Sequence, residues 1–258
     1  TGSTVSGANS AGLNVGATGG ATTASCNAFY SNGVGALTSS GAYATLTLTN
    51  NSIVGNTVGV SQTTGSTLTA NGNYWGSASG PRPGGTGDLA QSPVDDSGFL
   101  TGPAGCAPVV AFVTAGIEQA GSQADPMNGS PVHFTVTFSQ AVTGLDATKI
   151  RLSGTAGATT ATVASGLGAG PYDVEVSGMT GSGTIIADLY AGAGFTSAGL
   201  PSVASTSTDN TVTYDSVAPT VTSITRGGGS TPTNAGSVTF TVTFSEAVNN
   251  VDTTDFTP

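Results

Sequence analysis

Charged side chains are scarce in this chain, and bases are the scarcest of them. Charged residues make up 7% of the 258 residues, with 14 acids against four bases and one histidine, so the formal net charge is −10 at pH 7. A nucleic-acid-binding surface needs clustered Lys and Arg, so this composition excludes that partner class. The deficit of bases also disfavours anionic membrane surfaces. No apolar run is long enough to insert into a bilayer as a spanning helix.

Cysteine is nearly absent as well, since the chain has Cys26 and Cys106 alone. These two thiols lack metal-ligand spacing and have no neighbouring histidine, which argues against a zinc site built on them. In an oxidising compartment they could form a disulfide that ties the segment after the first domain back onto that domain. The alternative is that they are two small buried thiols.

The residues that are abundant are small, β-branched or turn-forming. The chain contains 40 glycines, and 37% of its residues are hydrophobic, which is too many for a disordered polymer. This composition predicts an all-β protein built from short elements. Its length predicts one to three domains.

The first part of the chain contains an internal repeat and no titratable acid, base or histidine before Arg82. The stretch "CNAFYSNGVGAL" (26–37) aligns with "NNSIVGNTVGVS" (50–61) at an offset of 24, and two weaker matches, "GLNV" with "GVGA" and "NGNYW" with "NNSIV", fall at 21. This period predicts a solenoid of stacked coils, whereas the alternative is a flat sheet of hairpins. Asparagine is expected at the corners. The predicted inward residues are Leu13, Phe29, Val34, Ile53 and Val58.

The stretch "NNSIVGNTVGVSQTTGSTLTANGNYWGSASGP", followed by "GTGDLAQSPVDDSGFL", resembles the last coils of right-handed parallel β-helix proteins of the pectate-lyase-like group. The resemblance implies a parallel β-helix over residues 1–100, with Tyr74 and Trp75 closing its open end. Enzymes of that group need carboxylates or bases on their strands. Residues 1–100 offer none before Arg82 and Asp88, and the adjacent Asp95 and Asp96 would point to opposite faces of a strand. We therefore expect no catalysis here.

From residue 108 onward, apolar and polar residues alternate strictly. In "PVHFTVTFS" the apolar residues share one face, which leaves His133 on the outward face. Six more segments follow the strand pattern, namely "VVAFVTAGI", "KIRLSG", "TTATVAS", "YDVEVSG", "GTIIADLY" and "DNTVTYD". Seven short strands separated by turn residues predict a two-sheet antiparallel sandwich.

One strand is spelled twice, as "FTVTFSQAV" (134–142) and "FTVTFSEAV" (240–248). Together with "YDSVAPTVTSI" and "STSTDNTVTYD", it resembles the bacterial Ig-like repeats of large surface and adhesin-type proteins. The predicted organisation is β-helix coils and exit segment over 1–100, a linker over 101–107, an Ig-like β-sandwich over 108–217, and the start of an incomplete second Ig-like module over 218–258. We expect the natural protein to continue past Pro258.

The joint between the two Ig-like modules collects carboxylates. Asp215, Glu246 and Asp252, with Asp255 as a further candidate, could supply the oxygens that Ca²⁺ prefers. Joints stiffened by calcium are also what the resemblance to surface repeats implies. The alternative is a set of solvated loop acids. No other cofactor is expected.

The sequence thus predicts a non-catalytic structural or adhesive segment, secreted to the bacterial cell surface, in which a β-helix head is followed by an Ig-like stalk. Glycans or neighbouring copies of the protein are the expected partners. One alternative is the accessory region of a secreted polysaccharide-active β-helix enzyme. Another is a subunit of an extracellular assembly that uses strand donation.

Overall fold

Nearly all regular structure in this chain is β-strand, as the composition predicts. The computed structural model describes residues 1–16, 20–39, 45–62, 66–91, 93–229 and 231–256. Two short 3-10 turns, Ala147–Lys149 and Thr253–Asp255, interrupt the strands. The chain divides into two compact units, Thr1–Asp215 and Ser216–Pro258. Among the described residues, no helix has the length and apolar content needed to cross a bilayer.

Unit 1 begins with short strands that pair in parallel. They are β1 (Thr4–Ser6), β2 (Ala11–Val15), β3 (Ala21–Ser25), β4 (Ala28–Tyr30), β5 (Val34–Thr38), β6 (Thr45–Thr49), β7 (Ser52–Val54), β8 (Val58–Ser61) and β9 (Thr67–Thr69). They form three sheets in the orders β1-β4-β7, β2-β5-β8 and β3-β6-β9. Every third strand therefore adds to the same sheet, and the described pairings are parallel rather than hairpins.

The register confirms one predicted repeat and corrects the other two. Phe29 lies opposite Ile53, which is the predicted offset of 24. Leu13 lies opposite Ala36, so the "GLNV" match at 21 is wrong by two residues. Tyr74 lies opposite Ser52, so the "NGNYW" match at 21 is wrong by one. The difference matters because a slip of one residue turns each side chain to the other face of a strand.

The interior of the parallel region is apolar. Phe29 and Ile53 are buried as predicted, and Leu13 packs against the buried cluster. Val34 and Val58 were predicted to be inward, but they begin their strands, stay partly exposed and do not belong to the cluster. The remaining buried members are Ala24, Ala36, Leu46, Leu48, Val60, Leu68, Ala70, Trp75 and Ala90.

The second part of unit 1 is antiparallel. Its strands are β10 (Ala115–Gln119), β11 (Val132–Phe138), β12 (Ile150–Ser153), β13 (Thr160–Ser165), β14 (Tyr172–Ser177), β15 (Gly183–Leu189) and β16 (Thr211–Tyr214). They form two sheets in the orders β10-β11-β14-β13 and β12-β15-β16. Apolar side chains of both sheets, among them Phe134, Val174, Ile185 and Val212, form one hydrophobic core. All seven predicted strands exist, although β10 begins at Ala115 and Val109 is fully exposed.

Unit 2 contains the antiparallel pair β17 (Val221–Arg226) and β18 (Phe240–Phe244). The repetition of "FTVTF" in β11 and β18 is therefore a repetition of a strand. The turns that follow these two strands are also alike. Asp146 caps the 3-10 turn after β11, and Asp252 caps the 3-10 turn after β18.

Candidate functional site

Two columns of buried asparagines run through the parallel region, and we call them the asparagine ladders. In the first ladder, the backbone N–H and the side-chain Nδ2 of Asn27 both donate to Oδ1 of Asn51, at 2.9 and 3.0 Å. Asn51 donates to Asn73 in the same way, with both distances 2.9 Å. In the second ladder, Asn32 makes the same pair of bonds to Asn56, each 3.0 Å long. Successive repeats of the parallel region are thus tied together by side chains as well as by strand pairing.

The sequence predicts asparagine at the corners because asparagine tolerates left-handed backbone, and not because of the ladder hydrogen bonds. The structure assigns that conformation to the preceding residue instead, with φ of 58° at Cys26, 55° at Ser31, 68° at Gly55 and 69° at Gly72. The left-handed residue turns the chain, and the asparagine after it points inward. Among the described residues of the first 100, Asn50 (φ 54°) is the asparagine that does adopt this conformation, and Asn51 follows it.

Asp88 ends the second ladder in place of another asparagine. Its Oδ2 accepts the backbone N–H and Nδ2 of Asn56, at 2.9 and 2.8 Å, and its Oδ1 accepts the N–H of Gly55 at 2.8 Å. The side chain is fully buried. Burial raises the pKa of Asp88 to about 7, although hydrogen bonds from Asn56 and Gly55 act in the opposite direction. The first acid of the chain is therefore part of the scaffold.

The parallel and antiparallel parts of unit 1 meet along a contact that we call the seam, formed between residues 30–86 and 112–204. Two backbone hydrogen bonds of 2.8 Å cross it, from Ala191 N–H to Thr86 O and from Ala204 N–H to Gly76 O. The rings of Tyr30 and Phe112 pack edge to face with centroids 6.0 Å apart. The guanidinium of Arg82 lies 4.9 Å from the ring centre of Tyr190.

A cavity of about 320 Å³ opens beside the seam and is lined by side chains of both parts. On the parallel side, the hydroxyls of Ser77, Ser79 and Thr86 lie 2.8 to 3.1 Å from one another. On the antiparallel side, Arg151 Nη1 lies 3.7 Å from Asp188 Oδ2. Burial raises the pKa of Asp188, and the charge of Arg151 opposes that shift. The cavity therefore offers hydroxyls, one cation and one carboxyl to a polar ligand.

Cys26 and Cys106 come together as a disulfide that spans 80 residues of sequence. Cys26 occupies a left-handed corner immediately before Asn27. Cys106 lies in the segment that leaves the parallel region, where Ala104 N–H donates to Ser52 Oγ at 3.2 Å. Of the two alternatives that the sequence leaves open, the structure contains the bonded form.

The three predicted calcium ligands belong to different units. Asp215 ends unit 1, where its Oδ1 accepts the hydroxyl of Ser182 at 3.1 Å. Glu246 and Asp252 belong to unit 2. Asp252 Oδ1 accepts the backbone N–H and the hydroxyl of Thr254, each at 2.7 Å, and its own N–H donates to Asp255 Oδ2 at 2.9 Å. The carboxyl of Asp252 thus has a capping role, and a shared calcium site remains a prediction.

The sequence places His133 on an outward face but does not identify its neighbours. Strand β11 pairs with β14, so His133 lies beside Asp173 and Glu175. The Nδ1 atom of His133 is 3.0 Å from Asp173 Oδ1. Alternation alone assigns Asp173 and Glu175 to the outward face of "YDVEVSG"; the missing information was which two strands are adjacent.

Comparison of the chain with protein-family models, with curated proteins and with solved structures found no match.

Proposed function

We propose that this chain is a non-catalytic structural and adhesive segment of a bacterial cell-surface protein, in which a parallel β-helix end is joined rigidly to an Ig-like stalk. The observation that carries the proposal is the seam. Crossing backbone hydrogen bonds and a ring contact join the two parts of unit 1, and a disulfide holds the segment between them against the parallel part. A joint of this kind transmits force and holds the two parts at a fixed spacing, which is what a surface scaffold requires.

The strand order of the parallel region supports a β-helix. Successive circuits of three strands place one strand on each of three sheets. The buried cluster lies among those sheets, and the asparagine ladders bond neighbouring circuits. These are features expected of a solenoid, in which each repeat contacts its neighbours. The earlier resemblance to pectate-lyase-like coils agrees with this arrangement.

The antiparallel strand order supports an Ig-like sandwich of the constant type. When the seven strands β10 to β16 are lettered A to G, the two sheets read A-B-E-D and C-F-G, which is the strand order of constant-type immunoglobulin domains. Unit 2 repeats the second strand and the capped turn that comes before the third. That repetition supports a second module of the same type.

The first charged residues of the chain support a non-catalytic role. Asp88 is enclosed by hydrogen bonds from Asn56 and Gly55. Arg82 donates from Nε to Gly87 O at 3.0 Å and stacks on Tyr190. Both side chains are thus engaged within the scaffold. We expect no release of reducing sugar when the chain is incubated with polysaccharides.

A disulfide supports an extracellular location, because such bonds persist in oxidising compartments. The cavity beside the seam supports the adhesive part of the proposal, since hydroxyls and a charged pair can bond sugar hydroxyls. Glycan-array binding checks this part. Binding that is weakened by Arg151→Ala would support a glycan ligand in the cavity, and binding that Arg151→Ala leaves unchanged would place the ligand elsewhere.

Single-molecule force spectroscopy tests the structural part of the proposal. When the oxidised chain is pulled from its ends, we expect unit 1 to resist as one body, with the loop between Cys26 and Cys106 hidden from extension. Reduction, or the double variant Cys26→Ser/Cys106→Ser, should release roughly 28 nm of additional chain. Separate unfolding of the parallel and antiparallel parts at low force in the oxidised chain would contradict a rigid joint.

The surface of unit 2 favours a second candidate function, the acceptance of a strand from another molecule. Phe240 of β18 is 57% exposed, whereas its counterpart Phe134 in β11 is fully buried. In unit 1, β11 pairs with β10 on one side and β14 on the other. A strand added beside β18 would pair with its backbone edge as β14 pairs with β11. Sedimentation of the chain over a range of concentrations checks self-association, and a monomer at high concentration counts against this candidate.

A further inference from the structure

The outward face of the four-stranded sheet carries three metal-ligating side chains at one place. They are His133 on β11 and Asp173 and Glu175 on β14. One ligand atom from each side chain can be chosen so that all three atoms lie within 4.8 Å of one another. The side chains of His133 and Asp173 are each 38% exposed, so solvent reaches the cluster although neighbouring atoms cover part of it.

The sheet fixes the relative position of these side chains. His133 lies directly opposite Glu175, and Asp173 is two residues along the same strand as Glu175. The backbone N–H and C=O of His133 bond to Gln123 and Ala120, on the side away from β14. His133 and Glu175 therefore form a non-hydrogen-bonded pair, in which Cα atoms are only about 4.5 Å apart and side chains are closest. Two adjacent strands thus hold the three side chains over one patch.

The spacing of the ligand atoms suits a small divalent cation. Zinc binds imidazole nitrogen and carboxylate oxygen at about 2.0–2.2 Å with tetrahedral geometry, so neighbouring ligand atoms are separated by roughly 3.3 Å. The nitrogen and oxygen of His133 and Asp173 are already 3.0 Å apart. A ligand atom of Glu175 lies within 4.8 Å of both, and a change of its side-chain rotamer would have to bring it closer to complete three ligands. The fourth position would face solvent.

We propose that His133, Asp173 and Glu175 bind one Zn²⁺ ion on this face of the antiparallel sheet. The mixed donor set favours zinc over calcium, because Ca²⁺ takes six to eight oxygen ligands and an imidazole supplies none. Charge favours binding as well. Of the three Lys and Arg side chains of unit 1, Arg151 pairs with Asp188, Arg82 stacks on Tyr190 and the charge of Lys149 acts on Asp146. Among the described residues, no salt bridge joins a Lys or Arg to Asp173 or Glu175. This site is separate from the predicted calcium ligands.

The composition makes the test unusually direct, because His133 is the one histidine in the chain and both cysteines are bonded. The imidazole resonances of the intact oxidised chain are recorded by ¹H–¹³C NMR while Zn²⁺ is added, and calorimetry gives the stoichiometry. We expect a saturable shift of the imidazole signals with one Zn²⁺ per chain, and no displacement of zinc by excess Ca²⁺. Imidazole signals that do not move on addition of Zn²⁺ would overturn the proposal.

Variants separate a three-ligand site from a lone histidine. His133→Ala should abolish the calorimetric signal. Loss of a side chain that only hydrogen-bonds to a metal ligand weakens metal binding by roughly 10–100-fold. Loss of a ligand should have at least as large an effect, so Asp173→Asn and Glu175→Gln should each weaken zinc binding at least about tenfold. Asp209→Asn, a change at an exposed carboxyl outside the cluster, is the matched control and should bind as the unmodified chain does. Unchanged affinity in both carboxyl variants would overturn the site as proposed. Circular dichroism confirms that each variant is folded.

Discussion

Single polar residues connect successive repeats of the parallel region in this protein. An asparagine in a ladder offers one acceptor oxygen to two N–H donors of the neighbouring repeat and keeps its own amide N–H groups for further bonds. Buried polar groups are tolerated when they are paired in this way. One oxygen of Asp88 accepts from the same two kinds of donor, the backbone N–H and Nδ2 of Asn56, and its other oxygen accepts from the N–H of Gly55. The first ladder ends differently, because Nδ2 of its last asparagine, Asn73, donates to the carbonyls of Leu48 and Ala70.

The first prediction concerns the interior of the first ladder. Asn51 is fully buried, accepts two bonds from Asn27 and donates to Ala24, Thr49 and Asn73. Asn51→Ala would leave several buried groups unpaired, each at a cost of about 1–3 kcal/mol. We expect the free energy of unfolding to fall by at least about 3 kcal/mol in chemical denaturation. Asn14→Ala, at an exposed strand position, is the control and should change it by less than about 1 kcal/mol.

The titration of Asp88 should make the free energy of unfolding depend on pH. The pKa of Asp88 is about 7 in the folded chain against an ordinary value of 3.8. Between these values the folded protein keeps a proton that the unfolded chain has lost. The contribution of Asp88 to the free energy of unfolding is therefore complete below pH 3.8 and is lost as the pH rises through about 7. The slope reaches up to about 1.4 kcal/mol per pH unit.

Asp88→Asn removes that titration and tests the assignment. The amide oxygen of the variant can still accept from Asn56. Its NH₂ group, however, faces the N–H of Gly55, and two donors cannot bond to each other. The variant should therefore be less stable than the unmodified chain at pH 4 by about 1–3 kcal/mol. Between pH 4 and pH 7, its unfolding free energy should fall less steeply. Some slope should remain because burial also raises the pKa of Asp188. Chemical denaturation across this range is the measurement, and slopes identical in the two proteins would contradict it.

For single residues, the sequence predicted which residue types recur better than it predicted what each of them does. Asn27, Asn32, Asn51 and Asn56 stood out as repeated positions, yet only the structure gives their inward direction and their bonds. Trp75 is fully buried and belongs to the apolar cluster of the parallel region, and its expected role with Tyr74 in closing the coil stack remains a prediction. Its alignment with Val54 was one residue out, because short Asn/Gly-rich motifs match equally well at adjacent registers. The register is instead set by the ladder, since Asn73 accepts from Asn51.

Strands are the level at which the internal repeat can be read most clearly. The strands β11 and β18 share "FTVTF", and each is followed by a 3-10 turn capped by aspartate, Asp146 in one case and Asp252 in the other. Their surroundings differ. Phe134 lies in the core shared by two sheets, while Phe240 is 57% exposed on a two-stranded hairpin. The same sequence therefore contributes differently to stability in the two units.

That difference gives a third prediction with a built-in control. Phe134→Ala removes a fully buried ring from the core of unit 1 and should lower its free energy of unfolding by about 3–5 kcal/mol. Phe240→Ala, the same change in the repeated strand, should alter the unfolding of unit 1 by less than about 0.5 kcal/mol. Thermal unfolding followed by near-ultraviolet circular dichroism measures both. Equal losses of unit 1 stability would contradict the division of the chain into two units.

The existence of the antiparallel strands could be predicted from alternation, but their partners could not. "PVHFTVTFS" and "YDVEVSG" both alternate clearly, and nothing within either segment states that they are adjacent. Adjacency depends on contacts across 40 residues of sequence, such as His133 with Asp173. The sequence therefore assigned a face to His133 and missed its cluster. The same limitation hid the third parallel sheet, whose "TLTLT" strand contributes Leu46 and Leu48 to the core.

On the scale of unit 1, the parallel and antiparallel parts form one compact unit whose seam is closely packed. Gly55 and Gly76 lie where no side chain would fit, since a Cβ at Gly76 would come within 2.8 Å of Ala191 and a Cβ at Gly55 would meet the ring of Pro201. Glycine at these corners also supplies the left-handed backbone, with φ of 68° and 82°. The sequence predicted a domain boundary near residue 100. It gave no sign that the parts on either side share backbone hydrogen bonds.

The last prediction isolates the seam with two matched glycines. Gly55 and Gly72 each precede a ladder asparagine and have nearly equal φ, 68° and 69°, but a Cβ at Gly72 would meet nothing within 4 Å. Gly72→Ala should therefore cost only the left-handed strain of about 1–2 kcal/mol. Gly55→Ala adds a collision with Pro201, so it should cost more and should speed hydrogen exchange at the seam amides of Ala191 and Ala204. Exchange at these amides that is equal in the two variants would mean that close packing at Gly55 does not hold the seam together.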